Sequence, residues 1–249
     1  MKTVLITGTS SGYGRQTALH FHSQGWNVIA TMRTPRADVL PESDRLRVVA
    51  LDVTKPESIT AALEAAGPVD VLVNNAGVPS ISVFEGIPMA RVREVFETNT
   101  FGVMAMTQAV LPQFRERGSG VVVNVTSSVV LGHMPLSAVY KASKMAVEGF
   151  TASLALELAP FGVQAKTVEP GACLTTNFGA RALNGRRLEE MVPEPYLSWA
   201  EKVMADFMGQ DVYTRESDVA ETVWRAAHDT TGRLRFPAGA DAVRLAEAK

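Results

Sequence analysis

The sequence predicts an α/β fold, in which helices flank a doubly wound parallel sheet within a single domain that spans residues 1–249. Short apolar runs rich in β-branched residues alternate with longer segments of helical periodicity, a pattern typical of parallel sheets covered on both faces. Polar or glycine-rich residues directly follow these runs, and in such sheets ligands bind beyond the carboxyl ends of the strands. The length suits one domain of this class, and no linker interrupts the pattern.

The composition argues against several classes of protein. A net charge of -2 disfavours nucleic acid or an anionic membrane as the main partner. A single cysteine, Cys173, excludes an internal disulfide and fits a reducing compartment. The chain enters its first strand without a signal peptide, and no apolar run is long enough to span a membrane. We therefore expect a cytoplasmic protein.

A glycine-rich turn joins the first predicted strand to the first predicted helix. The strand covers residues 4–6, the turn runs from Gly8 to Gly14, and the helix covers residues 15–24. Gly8 permits a tight turn, and Gly12 lets backbone amides approach a pyrophosphate at the positive end of the helix dipole. A glycine pattern alone is weak, but this one directly follows a strand, as a Rossmann-type dinucleotide site requires.

The same turn also matches the nucleophile elbow of a hydrolase, with Ser10 between Gly8 and Gly12. An α/β-hydrolase places its elbow after several strands and needs an upstream oxyanion loop, followed by an acid and a histidine. Only seven residues precede Gly8, and the only late histidine, His228, falls in a predicted helix. The hydrolase interpretation is therefore disfavoured.

The next three strands are predicted at residues 27–32, 46–51 and 69–73, and residues 56–66 form a helix that begins at a proline. Each strand is followed by residues that can contact a ligand. These residues are Arg33, Asp52-Val53 and Asn74-Asn75-Ala76-Gly77. Because parallel strands share one carboxyl edge, these groups should lie near the glycine-rich turn.

A long helix is predicted over residues 89–114, with Asn99 in its interior. Asparagine is a modest helix former and usually has a reason to occupy such a position. Two interpretations stay open. In the first, Asn99 is an exposed surface residue. In the second, a water near Lys144 is held either by the Asn99 side chain or by a distorted helical turn.

The central strand and the helix after it carry the residues best suited to chemistry. An unbroken β-branched run at residues 121–126 ends at Ser127. The following helix, at residues 138–159, places Tyr140 and Lys144 one turn apart on one face. The alternative is an amphipathic pair on the surface.

This spacing suits proton transfer by a phenol. An ammonium ~5 Å from a phenolate, at an effective dielectric of ~20, would stabilise it by roughly 3 kcal/mol, or about two pKa units. We therefore expect Tyr140 to titrate near working pH beside Lys144. Ser127 could donate a hydrogen bond to the same substrate oxygen.

Together these motifs resemble the short-chain dehydrogenase/reductase family, in its branch of roughly 250-residue single-domain enzymes. The matching residues are Thr7-Gly8-x-x-x-Gly12-x-Gly14, Asp52-Val53, Asn74-Asn75-Ala76-Gly77, Asn99, Ser127, Tyr140, Lys144 and Pro170-Gly171 with Thr175. Ser127 precedes Tyr140 by thirteen residues, a spacing that Ser128 does not have. The resemblance covers residues 1 to about 175.

The resemblance implies specific roles. The catalytic tetrad would be Asn99, Ser127, Tyr140 and Lys144. Asp52 and Val53 would contact the adenine, and Asn75-Ala76-Gly77 would line the adenosine side. Cys173 and Thr175 would contact the nicotinamide carboxamide. The full set of expected cofactor-binding residues is Gly8, Ser10, Ser11, Gly12, Tyr13, Gly14, Arg33, Asp52, Val53, Asn75, Ala76, Gly77, Tyr140, Lys144, Pro170, Gly171, Cys173 and Thr175.

Two positions depart from the family pattern. Tyr13 replaces the usual aliphatic residue between the glycines, which should alter contacts at the pyrophosphate. Val130 stands where the family often has glycine, which should narrow the substrate mouth.

The end of the second strand predicts NADP(H) in preference to NAD(H), and use of NAD(H) stays possible. An NAD enzyme usually places a carboxylate there for the ribose hydroxyls, but Met32 occupies that position and Arg33 follows it. A guanidinium can bind a 2′-phosphate with paired hydrogen bonds. The alternatives are a solvated arginine or a ribose acid supplied by Asp38. Ser11 is uncharged where some NADP enzymes of the family carry a second basic residue.

The rest of the chain should complete the sheet and cover the substrate. Strands are predicted at residues 163–168 and 234–236, and a capped helix at residues 217–228. Residues 177 to about 209 break the strand-helix rhythm, and the resemblance suggests a substrate lid there, with plain helical core as the alternative. The predicted apolar substrate pocket consists of Val129, Leu131, Met134, Met191, Tyr196 and Trp199. No histidine has neighbours arranged as metal ligands, so we expect no metal.

We therefore expect an NADP-dependent oxidoreductase, a carbonyl reductase or secondary alcohol dehydrogenase that acts on an apolar ketone or alcohol with Tyr140 as acid/base. A catalytically silent dinucleotide-binding sensor or scaffold is the alternative from another class. Small residues on one face of the central helix predict a homo-oligomer, a dimer or tetramer, unless that face packs on its own sheet. They are Ala142, Ala146, Gly149 and Ser153.

Overall fold

The computed structural model describes residues 1–176, 178, 182 and 187–248. Its strands are β1 (Thr3–Ile6), β2 (Asn27–Met32), β3 (Leu46–Ala50), β4 (Val71–Asn74), β5 (Gly120–Val125), β6 (Val163–Pro170) and β7 (Arg235–Ala238). They form one parallel sheet in the order β3-β2-β1-β4-β5-β6-β7. The order reverses between β1 and β4, and doubly wound sheets bind ligands at such a switch point.

Helices cover both faces of this sheet. They are α1 (Gly12–Ser23), α2 (Pro56–Ala66), α3 (Met89–Phe96), α4 (Gly102–Arg117), α5 (Ala138–Leu158), α6 (Leu197–Met208), α7 (Glu216–His228) and α8 (Ala240–Glu247). Val4 and Ile6 pack in the layer of α1 and α7, whereas Leu5 packs in the layer of α2, α4 and α5. Because both faces are buried, β1 is apolar from Val4 to Ile6. The predicted doubly wound fold is confirmed.

The helices differ from the prediction in two boundaries and one omission. α1 begins at Gly12, three residues before the predicted start, because the end of the glycine-rich turn is already helical. The helix predicted over residues 89–114 is in fact α3 and α4, separated by a π-helical turn at Glu97–Phe101. Apolar periodicity cannot reveal a single inserted turn of this kind. The sequence pattern also did not predict α8, which has only eight residues.

The segment predicted as a lid packs against the loop before α3. Residues 187–208 contain two short 3₁₀ turns, followed by α6. Val192 is buried in a cluster with Val83 and Leu136, and the Ser82 hydroxyl donates to the Met191 carbonyl at 2.8 Å. Residues 177, 179–181 and 183–186 of the predicted lid lie outside the described residues.

Candidate active site

The glycine-rich turn between β1 and α1 has no room for larger side chains. Gly8 and Gly12 have φ values of 75° and 58°, in the left-handed region that glycine adopts without strain. A Cβ atom at Gly14 would lie 2.4 Å from the Gly8 carbonyl oxygen. Within the described residues, the Ser11 side chain does not cap α1, so it leaves the first helical amides free to bind an anion. The turn therefore fits the phosphates of a dinucleotide.

The turn after β4 is fastened to the glycine-rich turn. The Thr7 hydroxyl accepts hydrogen bonds from the N–H groups of Asn75 and Ala76, at 3.0 and 2.9 Å. The Asn75 side-chain amide donates to the carbonyls of Thr7 and Gly8, at 2.9 and 3.0 Å. These bonds place residues 75–77 beside the phosphate turn, where the resemblance assigns the adenosine.

Asp52 and Val53 lie in the turn between β3 and α2. The Asp52 carboxylate accepts hydrogen bonds from the N–H and the hydroxyl of Thr54, at 3.0 and 2.8 Å. The Val53 side chain is buried against Gly102 of α4, where a Cβ atom would lie 2.7 Å from Val53 Cγ2. Gly102 therefore lets this turn pack closely on the helix.

Two arginines follow β2, close to the phosphate turn. Arg33 is exposed. Burial alone would raise the pKa of Asp52, but hydrogen bonds from Thr54 and the charge of Arg33 lower it below its usual value. Arg36 donates to the Ser10 carbonyl at 3.5 Å, and the sequence pattern did not single it out. Its place beside the turn depends on the path of the loop after β2.

Ser127, Tyr140 and Lys144 come together where β5 ends against α5. The Lys144 ammonium donates to the Val125 carbonyl at 2.9 Å and lies 5.9 Å from the centre of the Tyr140 ring. Ser127 lies close enough to Tyr140 for its side chain to lower the pKa of the phenol. Tyr140 and Lys144 are buried, so the alternative of a surface pair is wrong.

Asn99 lies in the π-helical turn and is fully buried, so the exposed interpretation is also wrong. Its side chain accepts from the Val78 N–H at 2.8 Å, and donates to the Val78 carbonyl at 2.9 Å and the Ser143 hydroxyl at 3.1 Å. A Cβ atom at Gly77 would lie 3.3 Å from Asn99 Oδ1 and 3.5 Å from Lys144 Nζ. The distorted turn therefore brings Asn99 near the lysine.

Burial shifts the two titrating groups in opposite directions. It raises the pKa of Tyr140 to about 12, although the hydrogen bond with Ser127 lowers it. It lowers the pKa of Lys144 to about 8, although the charge of Glu148 raises it. The expectation that Tyr140 titrates near working pH is therefore wrong for the protein alone. In the protein alone, Tyr140 is therefore a neutral phenol at working pH.

Tyr13 connects the phosphate turn to the loop after β6. Its hydroxyl donates to the Gly171 carbonyl at 2.9 Å, and burial raises its pKa above the usual value. The hydroxyl thus contacts Gly171, whereas the sequence suggested an effect at the pyrophosphate. The Gly171 turn is further held by Asp241, which accepts from the Ala172 N–H at 2.7 Å and from the Thr214 hydroxyl. The sequence pattern does not reveal Thr214 or Asp241, because they reach this turn from later segments.

The other residues expected at the carboxamide follow this turn. Pro170 is the last residue of β6. Cys173 Sγ lies 3.2 Å from the Thr175 hydroxyl, which in turn donates to Glu216 at 3.4 Å. Both side chains are at least partly accessible to a ligand.

Three of the six predicted pocket residues form an apolar wall beside Tyr140. Val129 and Leu131 are buried in one cluster with Tyr140, and Met134 packs against it. The Phe178 ring lies 5.5 Å from the Tyr140 ring, centre to centre and edge-on. The cluster also contains Val130 and Ala242 of α8, and Ala246 of the same helix packs against it.

The other three predicted pocket residues have different neighbours in the part of the chain that the structure describes. Met191 packs against the cluster of Val83 and Val192. The Tyr196 hydroxyl donates to Glu85 at 2.8 Å, and Trp199 is 48% exposed. They therefore lie in the layer of α6, and the described contacts do not bring them to Tyr140.

Residues 1–176, 178, 182 and 187–248 contain no group of three or more His, Cys, Asp or Glu side chains that could hold a metal ion. None of their helices has both the length and the apolar character needed to cross a bilayer.

Comparison with known proteins gives consistent matches. Residues 2–184 match the family model for short chain dehydrogenase. Retinol dehydrogenase 8 from Bos taurus is 40% identical over 188 residues, which cover 70% of this chain and 60% of that protein. The first curated relatives are longer proteins, of which the chain spans about 60–66%.

Solved structures show the same architecture. A short-chain dehydrogenase from Streptomyces avermitilis has a TM-score of 0.82 and 34% identity, covering 99% of this chain and 91% of that one. A serine dehydrogenase complexed with NADP+ has a TM-score of 0.78 and 28% identity, covering 94% of both chains. Other solved neighbours hold NADH or NAD. The chain therefore belongs to the short-chain dehydrogenase family of oxidoreductases, whose cofactor is a nicotinamide dinucleotide.

Proposed function

We propose that the protein is an NADP-dependent carbonyl reductase or secondary alcohol dehydrogenase. The main support is that the half-buried Ser127 meets the buried Tyr140 and Lys144 at the edge that carries the phosphate turn, because this arrangement suits proton transfer next to a dinucleotide. When bound, the cofactor would supply or accept the hydride. The phosphate turn, residues 75–77 and the Pro170–Gly171 turn would hold it.

Each polar side chain has a distinct role in this proposal. In the reductive direction, the Ser127 hydroxyl holds the substrate oxygen and the Tyr140 hydroxyl donates a proton to it. The Lys144 ammonium stabilises the phenolate that results and binds the nicotinamide ribose. Asn99 fixes the backbone at Val78 close to this lysine and keeps a water there.

The proposed substrate is an apolar ketone or secondary alcohol. Val129, Leu131 and Met134 give an apolar surface beside Tyr140, with Phe178 across its ring. Similarity to a retinol dehydrogenase supports an apolar alcohol. In this proposal, Phe178 and residues 187–208 belong to the lid, and Met191, Tyr196 and Trp199 line the pocket only if the lid moves.

We predict that Tyr140→Phe lowers kcat by about 10²–10⁴-fold while cofactor binding persists, because only the proton donor is lost. The assay is absorbance of the reduced nicotinamide with a panel of apolar ketones and polar polyols, and cofactor binding is measured by fluorescence. Tyr213→Phe is the matched control, since the Tyr213 hydroxyl bonds only to the Phe207 carbonyl among its described contacts.

Comparable turnover in Tyr140→Phe would contradict the mechanism, and preference for a polyol would contradict the substrate class. Binding with no turnover on any compound would favour the silent sensor.

The proposed preference for NADP(H) rests on positive charge beside the phosphate turn. Arg33 is exposed just beyond β2, and Arg36 reaches the Ser10 carbonyl of the turn itself. Arg36 can supply the second basic group that Ser11 does not. Asp38, the alternative ribose acid, is exposed on the loop beyond both arginines.

We predict that Arg33→Ala reduces kcat/KM for NADP(H) roughly 30-fold, because a charge-assisted pair with the 2′-phosphate is lost. This factor corresponds to about 2 kcal/mol of transition-state stabilisation. NAD(H) should be nearly unaffected. Arg115→Ala, at the far end of α4, is the control for general loss of positive charge. The preference is wrong if the parent favours NAD(H) or if both cofactors weaken equally.

The proposal includes self-association and a reducing, cytoplasmic location, which the free Cys173 fits. In the described chain, Ala142, Gly149 and Ser153 of α5 are exposed, so this face does not pack on its own sheet. Leu156 on the same helix is 78% exposed. Such an apolar, small-residue face permits close contact with a second α5.

We predict a dimer or tetramer by light scattering at micromolar concentration, and a shift to monomer in Gly149→Glu. A Cβ atom at Gly149 would have no neighbour within 4 Å, so the variant should fold normally, which circular dichroism can verify. A parent protein that is only monomeric would refute the assembly.

A further inference from the structure

A buried carboxylate lies one helical turn beyond the lysine of the candidate active site. Glu148 is four residues after Lys144 on α5, so the two side chains share a face of the helix. Glu148 is only 2% exposed. A buried charge is costly unless it is paired, so this glutamate needs an explanation.

Three strands hold the Glu148 carboxylate in place. The Thr126 hydroxyl, just after β5, donates to Oε1 at 2.7 Å. The Thr167 hydroxyl of β6 is 3.4 Å from Oε2, and Arg235 of β7 lies 3.2 Å from the same oxygen. Thr167 and Arg235 are partners in the β6–β7 register, which places them side by side. Arg235 thus forms an ion pair with the Glu148 carboxylate.

A second glutamate in the cluster differs from the first. Glu169 is fully buried and accepts from the Thr167 hydroxyl at 2.6 Å. Its Oε2 has no hydrogen-bond partner among the residues that the structure describes. Burial, reinforced by the charge of Glu148, raises the pKa of Glu169 to about 7 although Thr167 lowers it. The ion pair of Arg235 is with Glu148, whereas burial favours the protonated form of Glu169.

The remaining charges near the cluster are already paired or face away. Lys166 lies on the opposite face of β6 from Thr167 and forms an ion pair with Asp229 at 3.3 Å. Arg235 is 52% exposed, so solvent screens its effect on the interior. Tyr140 is neutral at working pH. Among the described groups, Glu148 is therefore the negative charge placed to act on Lys144.

The end of β5 sets the ammonium and the carboxylate beside each other. Lys144 donates to the Val125 carbonyl, and the next residue, Thr126, donates to Glu148. Burial favours the neutral amine of Lys144, and the neighbouring carboxylate opposes this. The roles proposed above for Lys144 require the ammonium, because a neutral amine cannot stabilise a phenolate.

We propose that Glu148 is a positioning residue that keeps Lys144 protonated in the buried site. Glu169, the second glutamate of the cluster, is uncharged and does not act on Lys144. This inference rests on the proposed roles of Tyr140 and Lys144. It gives the Glu148–Thr126–Arg235 contacts a function beyond stability, since they fix a negative charge one turn from the lysine. A merely structural glutamate would affect unfolding but not the titration of Lys144.

The test compares two isosteric substitutions in one cluster, Glu148→Gln and Glu169→Gln. Glutamine keeps an acceptor for the Thr126 hydroxyl, so Glu148→Gln removes chiefly the charge. The first readout is the pKa of Lys144 in the protein alone, from the ¹³C shift of its Cε atom, assigned with Lys144→Arg. The second is the basic limb of the pH profile of kcat/KM in the reductive direction, which reports the first proton lost by the Tyr140–Lys144 pair.

We expect Glu148→Gln to lower the Lys144 pKa by about one unit or more and to move the basic limb in the same direction. If the limb moves from about 8 to about 7, the activity of the variant at pH 8 should be about tenfold below its activity at pH 6, whereas the parent should lose only about twofold. Glu169→Gln should leave both readouts near those of the parent, and Glu148→Asp, which keeps the charge, should largely restore them.

The proposal is overturned if Glu148→Gln leaves the Lys144 pKa unchanged, or if Glu169→Gln shifts it equally. Should Glu148→Gln fail to fold, the parent decides the matter, because a Lys144 pKa far below about 8 would show that the carboxylate does not protect the ammonium. A lowered Lys144 pKa in a protein without turnover would uphold this inference and refute the proposed function. If Glu148→Gln leaves the Lys144 pKa unchanged while the parent shows turnover that depends on Tyr140, this inference is refuted and the proposed function is upheld.

Discussion

The candidate site depends on the burial of a lysine ammonium at the end of β5. Lys144 donates to the Val125 carbonyl, and this bond ties α5 to the strand that delivers Ser127. The burial that fixes this geometry also favours a neutral lysine and a neutral Tyr140. A working site therefore needs neighbouring charges that stabilise the ammonium of Lys144 and the phenolate of Tyr140. Glu148 can supply a negative charge on one side, and an oxidised nicotinamide ring would supply a positive charge on the other.

The same edge of the sheet solves a second problem, which is to bring distant segments within contact of one ligand. Bonds from Thr7 hold residues 75–77 against the phosphate turn, and the Tyr13 hydroxyl spans from that turn to Gly171. Close approach at Gly8, where a Cβ atom would lie 2.8 Å from Ala76, leaves no freedom in this arrangement. The binding surface is thus built by the fold before any ligand arrives, which reduces the entropy lost on binding.

The elements and the motif residues could be predicted from sequence because they depend on local pattern. β2 and α2 have the predicted boundaries, since apolar alternation and the proline of α2 mark them. The π-helical turn at Asn99 could not be predicted, because one inserted turn hardly disturbs the periodicity. Arg36, Asp241 and Glu148 also escaped prediction, since their partners lie on other segments and no spacing records them. Sequence predicts too low a pKa for Tyr140, because the spacing to Lys144 does not show that both side chains are buried.

Direct titration of Tyr140 tests most sharply whether the cofactor completes this site. Phenolate absorbance near 295 nm can be followed against pH in the parent and in Tyr140→Phe, and their difference isolates this one tyrosine. For the protein alone, we predict a pKa of Tyr140 of about 12. With the oxidised dinucleotide bound, it should fall by about two units or more, because the cationic ring and a protonated Lys144 both stabilise the phenolate. An identical Tyr140 titration with and without the oxidised dinucleotide would contradict this role for the cofactor and the lysine.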